Sequence, residues 1–356
     1  MKYPILEMHL ERLKENADEI VQLGEKYGVG IMGVTKVTCA HPDVAKTLLK
    51  SGVTGLADSR IRNIKKMRDF GIDTYYTLIR IPMLTELKEV VKYADCSLNS
   101  ELKIIKAINT EAKKQEKVHE IILMVDLGDL REGVWPEDVL DVVGQIVEME
   151  HVSLKGLGTN LTCWGGVLPT KDNLAKLPEL KSEIEEKYDI ELDLISGGNS
   201  SSLPLLKDGD MPEGINNLRV GEVIMLGNDT VSHNPFPETR QDTFVLKAEI
   251  VELKKKPSHP IGKIGLDAFG KKPVFEDKGM RTRAILGIGK QDLATDSLKA
   301  IDPGIQVVGG SSDHVIIDIT DSEKDYEIGS VVSFTVGYET LLKTTTSPYV
   351  KKVAIK

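Results

Sequence analysis

The sequence predicts an α/β protein with an N-terminal (β/α)8 TIM-type barrel and a C-terminal all-β domain. From about residue 12 to 230, short apolar runs alternate with amphipathic helical stretches, which is typical of parallel strands joined by helices. From residue 244 onward, strand-like segments are separated by Gly, Pro and Asp turns, and no convincing helix occurs. A doubly wound sheet is the main alternative for the first part.

The apolar runs of the first part are expected to form the barrel strands. They span residues 31–37, 54–57, 74–79, 95–98, 120–126, 154–160, 192–196 and 217–224. The helical stretches between them include residues 42–51, 59–70, 84–93, 99–115, 136–149 and 171–188. Helix-start signals support this order, since Pro42 and Asp43 open one stretch, while Asp58-Ser59 and Asn99-Ser100 each precede another.

The segment 231–239 contains two prolines and no periodicity, so it is interpreted as a linker. We place the barrel at 10–232. The second domain is expected to comprise 238–356 together with residues 1–9, which contain a strand-like segment. The predicted strands of the second domain span 244–253, 261–266, 282–288, 305–308, 314–319 and 330–337.

Composition excludes several classes of protein. No apolar run approaches the about 20 residues of a membrane helix, and the N-terminus lacks an apolar signal region, so a cytoplasmic protein without a membrane partner is expected. The formal net charge of −9 argues against nucleic-acid binding and is compatible with a cationic small substrate. Cys39, Cys96 and Cys163 form neither a disulfide framework nor a metal-binding pair, and no metal is expected.

Lys36 follows the first apolar run, in the stretch Gly30–His41. One interpretation is a lysine that extends from the strand end to water. The other is an amine at the mouth of a barrel, with a lowered pKa that allows it to form a Schiff base.

The seventh run ends in a Gly- and Ser-rich segment, Ser196–Ser202, that contains Asn199, Ser200 and Ser201. Glycines allow close approach of the backbone, and hydroxyls with free amides bind anions, so the segment predicts a phosphate cradle. An ordinary turn with a Ser cap is the alternative. Arg219, on the eighth run, needs a partner, which is either a structural ion pair or a ligand beside the phosphate.

Charged and aromatic side chains also follow the fifth and sixth runs. Arg131 lies in a cluster of acidic and basic residues after the fifth run, so it belongs either to a surface salt-bridge network or to the barrel mouth. Trp164 follows the sixth run and either stacks on a flat ligand or plugs the barrel top.

These positions share the carboxyl ends of the predicted strands, where barrel enzymes have their active sites. A phosphate-bearing aldehyde captured by Lys36 would engage the amine, both arginines and the phosphate cradle. Pyridoxal 5'-phosphate (PLP) fits that description, and it acts as an electron sink for a carbanion next to an imine.

The chain resembles the alanine-racemase-like, fold-type III family of PLP-dependent enzymes along nearly its whole length. The resemblance rests on the stretches 57–61, 80–84, 124–133, 196–202, 217–222 and 226–230. It implies a barrel, a C-terminal β domain and a head-to-tail homodimer, in which each active site lies between one chain's barrel and the other chain's β domain.

The resemblance also implies roles for individual residues. Lys36 matches the Schiff-base lysine, which is one of two racemising bases, and Arg131 matches the arginine near the cofactor's phenolic oxygen. Arg219 matches the arginine on the pyridine nitrogen, where a donor that never loses its proton keeps that nitrogen unprotonated. The phosphate-binding positions are matched by Asn199, Ser200, Gly221 and, from the second domain, Tyr338.

This sequence departs from the family pattern in three places, the first of which is residues 38–41, where alanine racemases have a tyrosine-bearing loop after the catalytic lysine. Met124 stands where a carbamylated lysine supports the arginine, and Lys290 stands where the family has the tyrosine that is its second base. Asp313 and His314 are further catalytic candidates, although a histidine before a strand is often structural. The same string resembles the metal-binding histidine of D-threonine aldolases and D-serine dehydratases, but Ile316 stands where those enzymes have their second ligand, so the resemblance implies no metal.

The expected function is therefore PLP-dependent racemisation of an amino acid by two-base transfer of the α-proton. Ornithine is the expected substrate, with lysine, arginine and alanine as alternatives, and Asp267, Asp292 and Asp313 are candidate partners for its terminal ammonium. The alternative hypotheses are a non-catalytic PLP carrier and a fold-type III lyase or aldolase.

Overall fold

A computed structural model describes residues 2–356 and divides the chain into two compact units. One unit is Glu11–Arg240, and the other combines the chain up to Leu10 with Gln241–Lys356. Among the described residues, no helix is long and apolar enough to cross a membrane.

Eight parallel strands close into a barrel in the unit Glu11–Arg240, which confirms the predicted barrel fold. Strands are numbered along the whole chain, beginning with β1 (Ile5–His9) in the other unit. The barrel strands are β2 (Gly30–Val34), β3 (Leu56–Asp58), β4 (Tyr76–Leu78), β5 (Cys96–Asn99), β6 (His119–Met124), β7 (Val152–Gly158), β8 (Leu194–Ser196) and β9 (Asn217–Val220). The last strand closes the barrel on the first, with Met32 beside Arg219.

Helices cover the outside of this barrel, as the alternating pattern predicts. They are α1 (Leu10–Lys26), α2 (Pro42–Lys50), α3 (Ile61–Asp69), α4 (Leu87–Tyr93), α5 (Leu102–Lys114), α6 (Val139–Ile146), α7 (Lys171–Tyr188), α8 (Leu203–Lys207) and α9 (Glu222–Leu226). The expected strand 217–224 is wrong in its second half, because the strand ends at Val220 and α9 begins at Glu222.

Successive side chains of the barrel strands face opposite sides, and both sides are apolar. On β6, Ile121 and Leu123 pack with the core that α5, α6 and α7 form, whereas Ile122 and Met124 pack with Leu98 in a separate cluster. Burial on both faces explains why these strands appear in the sequence as continuous apolar runs.

The second unit is an eight-stranded, mainly antiparallel sheet. Its strands after β1 are β10 (Phe244–Pro257), β11 (Met280–Leu286), β12 (Leu298–Ala300), β13 (Gln306–Gly310), β14 (Val315–Asp318), β15 (Val331–Val336) and β16 (Lys351–Ile355). Strand β1 pairs antiparallel with β10 and parallel with β16. The predicted β architecture of this part is confirmed.

Two expectations for this unit are wrong. The predicted strand 261–266 lies in the loop between β10 and β11, where Ile261 is 92% exposed and has no face to pack against. A helix, α10 (Tyr338–Thr346), occurs although none was expected. Its β-branched threonines disfavour a helix, but Thr340 is buried and its hydroxyl donates to the Ala294 carbonyl at 2.8 Å.

Candidate active site

Lys36 begins a short 3-10 turn directly after β2, so it lies at the carboxyl end of the barrel. The expected strand 31–37 is too long, since β2 ends at Val34. The Lys36 side chain is exposed and makes no hydrogen bond or ion pair within residues 2–356. Its charge interacts with two carboxyl groups, Asp58 and Glu222, and burial raises the pKa of both. The barrel mouth therefore presents an amine with no fixed partner.

Asp58 anchors the residue that precedes this lysine. It is buried at the end of β3 and accepts hydrogen bonds from Thr35 Oγ1 at 2.8 Å, from the Arg60 amide at 2.9 Å and from Asn63 Nδ2 at 2.9 Å. The sequence signal at this position indicates only a helix start. The structure shows that the same carboxyl group ties β3 and α3 to the turn that carries Lys36.

Arg219 is buried on β9 and is hydrogen-bonded to the neighbouring strand β8 and to the two residues that follow β7. Its Nη1 donates to Ser196 Oγ, and its Nη2 donates to the Thr159 carbonyl at 2.7 Å and to Asn160 Oδ1 at 2.9 Å. None of these acceptors is a carboxylate. Burial lowers the pKa of Arg219 to about 10, so the guanidinium stays charged at neutral pH.

Arg131 lies in the loop after β6 and pairs with the adjacent Glu132. Its Nη2 donates to Glu132 Oε1 at 2.5 Å and its Nε donates to Oε2. Asn160 Nδ2 donates to the same Glu132 Oε1 at 2.6 Å. Since Asn160 also accepts from Arg219, the two arginines are joined through Glu132 and Asn160, which we call the Glu132–Asn160 bridge.

The serine-rich segment after β8 folds into a compact turn. Asn199 Oδ1 accepts from the Ser201 amide at 2.9 Å, and Ser200 Oγ accepts from the Gly221 amide at 3.3 Å. Gly221 packs against β2, because a Cβ built there would lie 3.1 Å from Val34 Cβ. The Ser201 hydroxyl is buried and has no hydrogen-bond partner among the described residues. A buried hydroxyl left unpaired costs about 1–3 kcal/mol, so this turn favours a polar ligand.

Asp129 organises the loop that carries Trp164. Its carboxylate accepts from the amides of Cys163 at 3.2 Å, Trp164 at 2.9 Å and Val167 at 3.1 Å. Partial burial raises the pKa of Asp129, but these amide donors lower it by more, so the net shift is downward. The Trp164 side chain is 77% exposed, and the interpretation of a plug in the barrel top is therefore wrong.

In the second unit, the structure brings Lys290, Asp313 and His314 together. The Lys290 amide donates to the Ser311 carbonyl at 2.8 Å, which packs the turn after β11 against the turn before β14. Asp313 and His314 are exposed. The Phe269 ring lies beneath Lys290 Nζ, 4.6 Å from the ring centroid. Lys290, Asp313 and His314 therefore lie on two adjacent turns at the ends of neighbouring strands.

Two other residues singled out in this unit lie elsewhere in its fold. Tyr338 is half-buried and is the first residue of α10. Asp292 is buried and accepts from Ser347 Oγ at 2.6 Å, so it is engaged within the unit and is a poor partner for a substrate ammonium.

Comparison with known proteins defines the class of this chain. The profile of the family described as alanine racemase, N-terminal domain, matches residues 8–229. The alanine racemase of Bacillus anthracis has a similar fold, with a TM-score of 0.75 at 15% identity, covering 100% of this chain and 96% of that chain. The chain therefore belongs to the alanine racemase family, and the resemblance inferred from the sequence is confirmed: it is an amino-acid racemase.

Two relatives match over nearly their full lengths. The ornithine racemase of Acetoanaerobium sticklandii is 48% identical over 351 residues, covering 98% of this chain and 99% of its own. The lysine racemase of Thermotoga maritima is 41% identical over 353 residues, covering 99% of each chain.

Proposed function

We propose that this chain is a PLP-dependent ornithine racemase. The observation that carries the substrate is the full-length, 48% identity to the ornithine racemase of Acetoanaerobium sticklandii. The lysine racemase of Thermotoga maritima, at 41%, makes lysine the second candidate substrate. Both amino acids carry a terminal ammonium, which agrees with the net negative charge of the protein.

The residues at the barrel mouth fit PLP. Lys36 offers an amine with no fixed partner for its aldehyde, and the buried, unpaired hydroxyl of Ser201 offers a donor for its phosphate. Asn199 and Ser200 belong to the same turn, and the Gly221 amide, at the start of α9, donates to Ser200 Oγ. When bound, PLP supplies an electron sink for the α-carbanion of an amino acid.

The two arginines would set the electronic state of the cofactor. A guanidinium donates hydrogen bonds and does not give up its proton at neutral pH, so Arg219 would leave a facing pyridine nitrogen unprotonated. That weakens the electron sink and disfavours side reactions such as transamination. Arg131 would bind the phenolic oxygen.

Racemisation needs one group to remove the α-proton and another to return a proton on the opposite face. We assign the first role to Lys36, whose Nζ is exposed and free of hydrogen bonds within residues 2–356. We assign the second to one of Lys290, Asp313 and His314, with Lys290 as the leading candidate. Of the acidic candidates for the substrate's terminal ammonium, Asp267 and Asp313 keep that role because Asp267 is partly exposed and Asp313 is exposed, whereas Asp292 is buried.

We further propose a head-to-tail homodimer in which the β domain of one chain completes the active site of the other. Several exposed apolar side chains support an interface at the barrel mouth, since each follows the carboxyl end of a barrel strand. They are Met83, Leu84, Leu130, Trp135, Trp164 and Leu168. Exposed apolar surface of this kind marks protein–protein contact sites.

Exchange of the α-hydrogen in deuterated water tests the reaction and its substrate together. The protein is incubated with PLP and each enantiomer of ornithine, lysine, arginine and alanine. We expect the fastest deuterium incorporation, with formation of the other enantiomer, for ornithine. No exchange with any amino acid would favour a PLP carrier, whereas aldehyde or keto-acid products that disappear with a chelator would favour a lyase or aldolase.

Mixing two inactive variants tests the shared site. Lys36→Ala and Lys290→Ala are each expected to be inactive as homodimers. In a mixed dimer, one of the two sites contains both lysines. Random re-assembly of equal amounts makes about half of the dimers mixed, so about a quarter of wild-type activity should return. Two copies of Lys36→Ala put through the same procedure are the control, and no recovery in the mixture would contradict the shared site or the role of Lys290.

A further inference from the structure

The Glu132–Asn160 bridge makes the two arginines one unit. Glu132 accepts hydrogen bonds from both Arg131 and Asn160. The side-chain oxygen of Asn160 in turn accepts a hydrogen bond from Arg219 at 2.9 Å. An amide is suited to this place because it donates from its nitrogen and accepts at its oxygen. The bridge spans loops after β6 and β7 and reaches β9, so it depends on the closed barrel.

The charges of this group explain why a carboxylate lies in the middle. Two guanidiniums near each other repel, and Glu132 places one negative charge between them. Burial lowers the pKa of Arg219, the charge of Glu132 acts to raise it, and that of Arg131 acts to lower it. Glu132 therefore stabilises a buried cation that has no carboxylate as a direct partner among residues 2–356.

An ordinary surface ion pair does not account for Glu132. Its side chain is only 16% exposed, while that of Arg131 is 40% exposed. Within residues 2–356, Glu132 is also the only hydrogen-bond partner of the Arg131 side chain. Without Glu132, Arg131 would be free to turn to solvent, and Asn160 would lose the acceptor that orients its amide.

We propose that Glu132 and Asn160 are positioning residues that hold Arg131 and Arg219 at a set spacing, to bind a flat, anionic aromatic cofactor at the barrel mouth. This inference rests on the proposed function, in which that cofactor is PLP. The two residues act through the arginines and have no direct part in moving the α-proton. Nothing in the sequence pattern alone assigns either residue, because the bridge joins positions 28 and 59 residues apart.

PLP titration of the full-length protein, followed by its visible absorbance, tests the bridge. We expect Glu132→Gln and Asn160→Ala each to weaken PLP affinity by about tenfold or more, which corresponds to about 1.4 kcal/mol. The double variant should lose little more than either single variant, because both changes break one bridge. Glu132→Asp keeps the charge and should recover part of the loss.

A pH titration of the same absorbance separates positioning from a merely structural role. Removal of the Glu132 charge makes the site more positive, with Asp129 as the remaining carboxylate that acts on Arg131, so the titration midpoint of bound PLP should shift to lower pH in Glu132→Gln. Turnover should fall in kcat more than KM for the amino acid rises. The matched control is Glu137→Gln, which changes an exposed glutamate in the same loop and should leave every value within about twofold of wild type.

The outcomes distinguish this inference from the proposed function. If wild type takes up no PLP, both are overturned. If wild type binds PLP while Glu132→Gln matches it in affinity and pH midpoint, or if the two single losses multiply in the double variant, only the bridge is overturned. Should Glu132→Gln fail to fold, the PLP affinity of Asn160→Ser, which keeps a small polar side chain, decides the matter: an affinity equal to that of wild type would overturn the bridge.

Discussion

Replacement of Lys36 by methionine is expected to lower racemisation by at least about 10³-fold, the scale of losing a positioned base together with a covalent anchor. Methionine is similar in length but has no amine. Because Lys36 is exposed and has no hydrogen bond within residues 2–356, the free energy of unfolding should change little. Turnover of ornithine, with circular dichroism to check folding, measures both.

The same variant should also lose the covalent link to PLP. After borohydride reduction, wild type is expected to carry the cofactor mass on the peptide that contains Lys36, and the variant is not. Lys46→Met is the matched control, since Lys46 is an exposed lysine of the same unit. Full turnover by Lys36→Met, or a reduced adduct on another lysine, would contradict the site.

Replacement of Arg219 by alanine is expected to have the second large effect, on stability as well as activity. The change leaves the Ser196 hydroxyl, the Thr159 carbonyl and the Asn160 amide oxygen without their shared donor. Buried groups without partners cost about 1–3 kcal/mol each, so the loss in the free energy of unfolding should be about 2–4 kcal/mol after partial rearrangement. Urea denaturation of the cofactor-free protein at neutral pH measures it.

Lysine at position 219 tests which property of the arginine matters. An ammonium keeps the charge but cannot reproduce the planar fork that reaches Ser196 on β8 and the residues after β7 at once. We expect Arg219→Lys to recover part of the stability and little of the activity. Arg62→Ala, at an exposed arginine of the barrel unit, is the control. Wild-type stability in Arg219→Ala would show that the hydrogen bonds of Arg219 contribute nothing to the fold.

Local patterns were sufficient for the barrel and for most candidate positions at its mouth. Continuous apolar runs mark strands that are buried on both faces, and the carboxyl end of each run places Lys36, Arg131 and the serine turn on one side. Local patterns failed where propensity and packing disagree. Residues 261–266 look like a strand but are exposed, and the threonine-rich α10 is helical, with Thr340 buried and hydrogen-bonded to the Ala294 carbonyl.

The sequence by itself determined the alternation of strands and helices, the β architecture of the second unit and the position of an amine after the first barrel strand. Only the tertiary structure decided the roles of Asp58, Asp129 and Glu132. Periodicity and turn signals depend on neighbours a few residues away. The partners of these three carboxyl groups include residues on other strands and loops, and they meet only when the barrel closes in a particular register.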